Sequence, residues 1–132
     1  MIRQCTPRDI PAITLLMKSE LNFWHDDWRS DVLERALKTS DGLAFVAEED
    51  TRIIGFICAH DLGFRAYLNE FIVHEDVRGK GIGKALLKKV EQELSKRGCK
   101  VLISDVWKNA ESFYRNLGYE QPDITLLRKN LF

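Results

Sequence analysis

Several features are scarce or absent in this sequence, and each absence argues against a class of protein. Twenty basic residues balance twenty acidic ones, so no overall field attracts nucleic acid or an anionic membrane. Cys5, Cys58 and Cys99 are widely spaced and odd in number, which argues against a disulfide framework and favours a reducing compartment. No cysteine and histidine spacing is typical of a metal site. No apolar run approaches the roughly 18 residues of a membrane span, and the N-terminus lacks a signal-peptide core. We therefore expect a cytoplasmic protein that binds neither nucleic acid nor membrane.

The composition is that of an ordinary folded protein. Hydrophobic residues make up 45% of the chain and charged residues 30%, which is far from the pattern of disorder. The 132 residues fit one compact domain, predicted to span 1–132, because domains of about 100 to 150 residues are the commonest size.

Hydrophobic periodicity predicts a mixed α/β fold with helices and strands alternating along the chain. The first helix is capped by Thr6, and the second is capped by Ser30 and closed by Asp41 and Gly42. The other two helices run from Gly81 to the region of Gly98 and over residues 110–117. The predicted strands cover residues 43–48, 53–60, 67–74, 101–106 and 125–131, the first two forming a hairpin.

A glycine-rich turn at residues 78–84 lies where a strand ends and the third helix begins. Gly79, Gly81 and Gly83 let backbone N–H groups approach a ligand, and the positive end of the helix dipole favours an anion such as phosphate. A plain tight turn explains an isolated run of this kind equally well. The glycine spacing and Ala85 do not fit a Walker A loop or a dinucleotide fingerprint.

Two motifs resemble the GNAT superfamily of N-acetyltransferases. The run Arg-Gly-Lys-Gly-Ile-Gly at residues 78–83 resembles its acetyl-CoA motif, and residues 110–119 resemble its Ala-x-x-Phe-Tyr-x-x-Leu-Gly-Tyr segment. The resemblance implies a mostly antiparallel mixed sheet with splayed strands 4 and 5, flanked by about four helices. It also implies acetyl-CoA as cosubstrate and acetyl transfer to a primary amine of a small molecule or peptide, by direct attack in a ternary complex, in a monomer or homodimer.

The same resemblance assigns a cofactor site around the third helix and the end of the fourth strand. The diphosphate would lie on backbone amides of the turn, and the pantetheine arm would pair with the strand. An amide near Ile72 or Val73 would stabilise the oxyanion. The cofactor residues are Phe71, Ile72, Val73, Arg78, Gly79, Lys80, Gly81, Ile82, Gly83, Lys84, Asn109 and Phe113.

Tyr114 matches the general acid of the family, although its helical spacing alone favours a core residue. Glu70 is the candidate base, and the alternative is a polar strand residue that faces solvent. His60, Asp61 and His74 are the reserve candidates for the base.

In the family the first two helices and the loop after the third strand commonly shape the acceptor pocket. Here these segments supply Phe23, Trp24, Asp26, Asp27, Trp28, Asp61, Phe64 and Arg65. Carboxylates beside tryptophans favour a cationic amine, whereas a solvated loop with partly buried aromatic residues explains the pattern equally well. Recognition of an acceptor carboxylate by Arg65, as in an amino acid or protein terminus, is a further alternative. Trp107 replaces the usual asparagine of the family, and the sequence favours packing of its ring between helix and sheet over a place in the acceptor wall. The short C-terminus predicts an abbreviated last hairpin or one completed by a dimer partner.

Two other functions remain compatible with the sequence. A noncatalytic acyl-CoA-binding regulatory module would keep the same fold without turnover. A nucleotide-binding protein is the more distant alternative, and preferential stabilisation by ATP rather than acetyl-CoA would identify it.

Overall fold

The computed structural model describes residues 1–131, which form a mixed five-stranded sheet with four α-helices. The strands are β1 (Ile2–Gln4), β2 (Ala44–Glu49), β3 (Arg52–Asp61), β4 (Ala66–Val73) and β5 (Leu102–Ile103). The helices are α1 (Ile10–Lys18), α2 (Val32–Ser40), α3 (Ile82–Lys96) and α4 (Glu111–Asn116). The strands lie in chain order, and every neighbouring pair is antiparallel except β4 and β5. None of these helices combines the length and apolar character needed to cross a bilayer.

The sheet is buried on both faces, so its strands are rich in apolar residues. Alternate residues of β3 illustrate this arrangement, since Phe56 packs against α1 and α2 whereas Ile57 packs with the α3 face. One cluster centres on Ile13, Met17 and Leu33 of the first two helices. The opposite cluster contains apolar residues of α3 and reaches Tyr114 of α4.

Strands β4 and β5 are splayed, as the sequence resemblance implied. Their parallel pairing consists of Ala66 with Leu102 and Tyr67 with Ile103, at the beginning of β4. Residues 68–73 of β4 extend beyond this pairing, so the sheet opens between β4 and the chain that follows β5.

A bulge at Asn69 changes the side-chain alternation of β4. Cys58 of β3 lies opposite Glu70, but the next residue, Ala59, lies opposite Leu68, which leaves Asn69 as the extra residue. Leu68 therefore packs with the α3 cluster, whereas Ile72 packs with the α1 and α2 cluster. After the bulge, the side chain of Glu70 therefore lies on the same face of the sheet as that of Ile72.

Several predicted boundaries are confirmed by backbone geometry. The turn between β2 and β3 consists of Asp50 and Thr51, both with positive φ, which suits a two-residue hairpin. Helix α2 ends at Asp41 in the left-handed conformation, and α3 is followed by Gly98 with φ 82°.

Other sequence predictions are wrong. Residues 119–131 contain no strand, contrary to the terminal strand predicted at 125–131, because residues 125–131 are exposed and no neighbouring strand among the described residues pairs with them. Strand β5 has two residues rather than the six predicted, because the sheet splays immediately after them. Strand β1 was missed because it is only three residues long. The first helix begins as a 3₁₀ turn at Pro7–Asp9, and the N-cap of α2 is Asp31 rather than Ser30.

The N-terminal strand is fixed to the first helix by a partly buried ion pair. Arg3 Nη1 and Nη2 donate to the two carboxylate oxygens of Asp9 at 2.9 and 2.8 Å, and its Nε donates to Glu48 at 2.7 Å. Asp9 also accepts the backbone N–H of Thr6 at 2.8 Å. These charge-assisted bonds hold β1 against β2 at the start of the chain.

We expect Asp9→Asn to lower the free energy of unfolding by about 2 kcal/mol, because it removes the negative partner of a partly buried guanidinium. The hydrogen bond from Arg3 lowers the pKa of Asp9 from its ordinary 3.8 to about 2, so this stabilisation is complete above about pH 4 and lost as the pH falls towards 2. Urea titrations at several pH values would measure both effects. The control Asp31→Asn alters an exposed pair with Arg29 and should change stability by less than about 0.5 kcal/mol. Equal losses in the two variants would contradict this prediction.

Candidate active site

The glycine-rich turn ends at the N-terminus of α3 and leaves backbone donors free. Gly81 is the N-cap residue with φ 85°, and it has no side chain with which to cap the helix. The first N–H groups of any α-helix lack partners within the helix. A Cβ placed at Gly79 or Gly81 would meet no heavy atom within 4 Å, so the turn faces open space. This arrangement fits a diphosphate held by amides, with Lys80 and Lys84 as exposed cations nearby.

The side chain of Arg78 is engaged elsewhere. Its Nε donates to the carbonyl oxygen of Val73 at 2.9 Å, and its Nη2 forms a 2.6 Å ion pair with Glu20. Arg78 therefore ties the segment after α1 to the end of β4, and its guanidinium positions the two segments beside the turn.

We expect Gly81→Ala to weaken acetyl-CoA binding by about tenfold, because alanine costs about 1 kcal/mol in the left-handed conformation and its methyl group covers the amides. Calorimetric titration with acetyl-CoA would measure the change. Gly63→Ala is the matched control, since Gly63 has φ 88°, equally open surroundings and a place in the loop after β3. The control should lose similar stability while keeping its affinity. Equal weakening in both variants would contradict a role for the turn.

The exposed edge of β4 offers further backbone groups. The N–H of His74 donates to Ile54 of β3 at 2.8 Å. Because bonding groups alternate along an antiparallel pair, the N–H of Ile72 also points towards β3, whereas those of Phe71 and Val73 point towards the splay. Of the two oxyanion candidates, Val73 thus has its N–H on the open side and Ile72 does not.

A cavity of about 280 Å³ lies at the splay. It is bounded by β4, by the chain between β5 and α4, and by the segment between α1 and α2. Its lining residues are Phe23, His25, Trp28, Leu68, Asn69, Glu70, Phe71, Ser104, Asp105, Trp107, Ala110 and Tyr114. The two residues that the resemblance assigns to acid and base catalysis, Tyr114 and Glu70, therefore line one cavity.

Glu70 has the electrostatics of a base that works near neutral pH. Burial, with the negative charge of Asp105 as a second cause, raises the pKa of Glu70 to about 7. A group with this pKa accepts a proton readily and exists in both protonation states near pH 7. Its side chain is half-buried, so the alternative of an ordinary solvent-facing strand residue does not describe its position.

Tyr114 is buried within a cluster of aromatic rings. Its ring makes edge contacts with Phe71, Phe113 and Tyr119 at centroid distances of 6.2, 5.4 and 5.4 Å. Burial raises the pKa of Tyr114 to about 12, with Asp105 adding to the effect and the Ser104 hydroxyl opposing it. The hydroxyl is thus protonated at neutral pH and can donate a hydrogen bond into the cavity.

Asp105 was missed by sequence reasoning. It lines the cavity, accepts a hydrogen bond from the Tyr67 hydroxyl, and contributes to the raised pKa of both Glu70 and Tyr114. Its position two residues after the half-buried strand β5 was the available signal, since acids at the carboxyl ends of strands commonly line ligand sites. With Glu70 it gives the cavity a negative character that suits an ammonium group.

The predicted acceptor residues are only partly brought together. Trp28, Trp107 and Phe23 line the cavity, and Phe23 contacts Trp107 edge-on at 5.7 Å. Trp107 is 51% exposed, so the favoured interpretation of a ring packed between helix and sheet is wrong, because the splay leaves its side chain in the cavity wall.

The remaining predicted residues lie outside the cavity lining. Trp24 packs edge-on against Trp28 beneath Lys18, and Asp61 accepts the N–H of Gly63 in an exposed loop. The others that lie outside it are Asp26, Asp27, Phe64, Arg65, Asn109, His60 and His74. Phe113 lies beside the cavity, with its ring tip 3.5 Å from a Cβ placed at Gly83.

The chain is similar to known acetyltransferases. The model of the Acetyltransferase (GNAT) family matches residues 10–119. The ribosomal-protein-S18-alanine N-acetyltransferase of Escherichia coli has a TM-score of 0.78 and 23% identity, over 92% of this chain and 78% of that one. Aminoglycoside N-acetyltransferase AAC(6')-Iy in complex with CoA has a TM-score of 0.76 and 21% identity, over 98% and 99%. The PaiA N-acetyltransferase of Thermoplasma acidophilum in complex with coenzyme A has a TM-score of 0.79 and 20% identity, over 95% and 92%.

Proposed function

The chain belongs to the Acetyltransferase (GNAT) family, and from that premise we propose that it transfers an acetyl group from acetyl-CoA to a primary amine in a ternary complex. The observation that carries this proposal is the single cavity lined by Glu70 and Tyr114 at the splay. The Glu70 side chain lies on the face of the sheet that packs against α1 and α2, whereas Tyr114 belongs to the cluster on the α3 face. An amine and a thioester can therefore meet between them from opposite sides of the sheet.

Acetyl-CoA supplies the thioester carbon that the amine attacks. The exposed amides of the turn hold its diphosphate, and the open edge of β4 at Phe71 and Val73 pairs with its pantetheine arm. The Val73 N–H donates to the oxygen that becomes negative during transfer.

Glu70 takes a proton from the bound ammonium, which frees the nitrogen lone pair to form the new C–N bond. The C–S bonding pair leaves with sulfur, which receives the proton of the Tyr114 hydroxyl. The second proton that the nitrogen loses passes to the Tyr114 oxygen and regenerates its hydroxyl. Glu70 releases the proton that it took from the ammonium to solvent. One amide, one thiol and one proton are the products.

An amine panel with detection of released thiol tests the proposal. Acetyl-CoA should raise the melting temperature of the chain, and at least one primary amine should give thiol release that depends on both substrates. Binding of acetyl-CoA without turnover across primary amines of all charge types would support a noncatalytic module instead.

A further inference from the structure

A second cavity of about 190 Å³ adjoins the first. Trp28, Asn69 and Glu70 line both cavities, so the two lie side by side with Glu70 at their boundary. The catalytic scheme above leaves this second cavity without a role. A chemical group in the second cavity could therefore be joined by a few covalent bonds to an amine nitrogen held at Glu70.

The second cavity is apolar apart from this boundary. Its remaining walls come from α1, α2 and β3, and they are Met17, Val32, Leu33, Ala36, Phe56 and Cys58. Burial raises the pKa of the Cys58 thiol to about 12, so this wall is uncharged as well. A charged or strongly polar group would lose its hydration here without gaining a partner. The cavity therefore selects an apolar occupant.

The size of the cavity limits that occupant to about one ring. Apolar protein cavities of about 150 Å³ bind benzene, which makes 190 Å³ sufficient for a phenyl group. Trp28 at the boundary offers an aromatic surface for such a ring.

The charges around the two cavities limit the rest of the acceptor. Within residues 1–131, the acids Glu70 and Asp105 line them but no lysine or arginine does. An ammonium group thus has acidic partners, whereas a carboxylate beside the amine would meet no lysine or arginine among the described lining residues and would lie near two acids. The second cavity has no acid other than Glu70 among its described lining residues, so a second ammonium group placed there would have no counter-ion of its own.

We propose that the acceptor is a primary arylalkylamine whose aromatic group occupies the second cavity while its nitrogen lies at Glu70. This inference rests on the proposed acetyl transfer. We expect a small amine to suit the site better than a peptide terminus, because the edge contact between Phe23 and Trp107 occupies part of the wall of the first cavity.

The specificity test compares kcat/KM for five acceptors: phenethylamine, propylamine, phenylalanine, phenylalanyl-glycinamide and kanamycin. We expect phenethylamine to exceed each of the others by about tenfold or more. A higher value for kanamycin, propylamine or phenylalanine would overturn the inference, and a higher value for the dipeptide amide would assign the site to peptide termini instead. Absence of thiol release with every acceptor would contradict the proposed acetyl transfer itself, so the two failures are distinguishable.

A substitution that fills the second cavity tests whether the aromatic group of the acceptor binds there. Ala36→Leu should lower kcat/KM for phenethylamine by about tenfold while changing that for propylamine by less than about twofold. Lys38→Leu adds the same side chain to an exposed position on the same helix and should leave both values unchanged. An equal loss for both amines in Ala36→Leu, with acetyl-CoA affinity intact, would overturn the location.

A second variant keeps the test valid if Ala36→Leu does not fold. Val32→Ala enlarges the same cavity at a half-buried position. We expect it to raise kcat/KM for tryptamine relative to phenethylamine, because the larger indole ring then fits. An unchanged ratio would place the aromatic group elsewhere.

Discussion

Glu70→Gln is expected to lower kcat by about 10²- to 10³-fold, because glutamine cannot accept the proton of the bound ammonium. In the unmodified protein the pKa of Glu70 is about 7. Its carboxylate form is therefore scarce below pH 7 and predominant above it, so the rate should rise through that pH. The variant should lose this inflection as well as its rate.

Rate profiles between about pH 5 and 9, measured at saturating acetyl-CoA, would test this expectation. Glu49→Gln is the matched control, since it makes the same chemical change at the exposed end of β2 and should keep both the rate and the inflection. An inflection near pH 7 that persists in Glu70→Gln would assign the base to another group.

Tyr114→Phe is expected to lower kcat by about 10²-fold while the affinity for acetyl-CoA changes little. The substitution keeps the ring that packs against Phe71 and Phe113 and removes only the hydroxyl that we propose protonates the departing sulfur. The raised pKa of Tyr114 keeps that hydroxyl protonated, so its loss should affect the rate across the neutral range.

Single-turnover thiol release and acetyl-CoA titration would separate these two effects. Tyr119→Phe deletes the equivalent hydroxyl from the neighbouring ring, where it donates to Glu91 at 2.6 Å outside the cavity lining. The control should retain its rate. A kcat loss of similar size in both variants would show that the loss comes from structural disturbance and would contradict proton donation by Tyr114.

The regular helices could be predicted from local signals. The apolar stripe of α3 and the positive φ of Gly98 follow from residues that lie within the helix or next to it. The terminal strand could not be judged in this way, because a strand requires a partner and residues 119–131 have none among the described residues. The alternation of apolar and polar residues within that segment does not indicate whether a second strand lies beside it.

The site was predicted in outline for a similar reason. Tyr114 and Glu70 lie in segments that the resemblance covers. Asp105 reaches the cavity because β5 ends after two residues, and the sequence did not predict where that strand ends. The acceptor wall was predicted by segment rather than by contact, so Trp28 and Trp107 were identified together with Asp61 and Arg65, which lie elsewhere. Which side chains converge depends on the splay and on the bulge.

The bulge at Asn69 has a consequence for how the substrate range could change. Glu70, the proposed proton acceptor, is attached to the paired backbone of β4, where Leu68 and Ile72 on either side of it are buried in the core. The proposed chemical step is thus attached to a strand held by pairing with β3 and by core side chains on both faces. The irregular segment between α1 and α2 contributes only partly buried side chains to the core, so we expect mutations there to change which amines are accepted while leaving the acetyl transfer step in place.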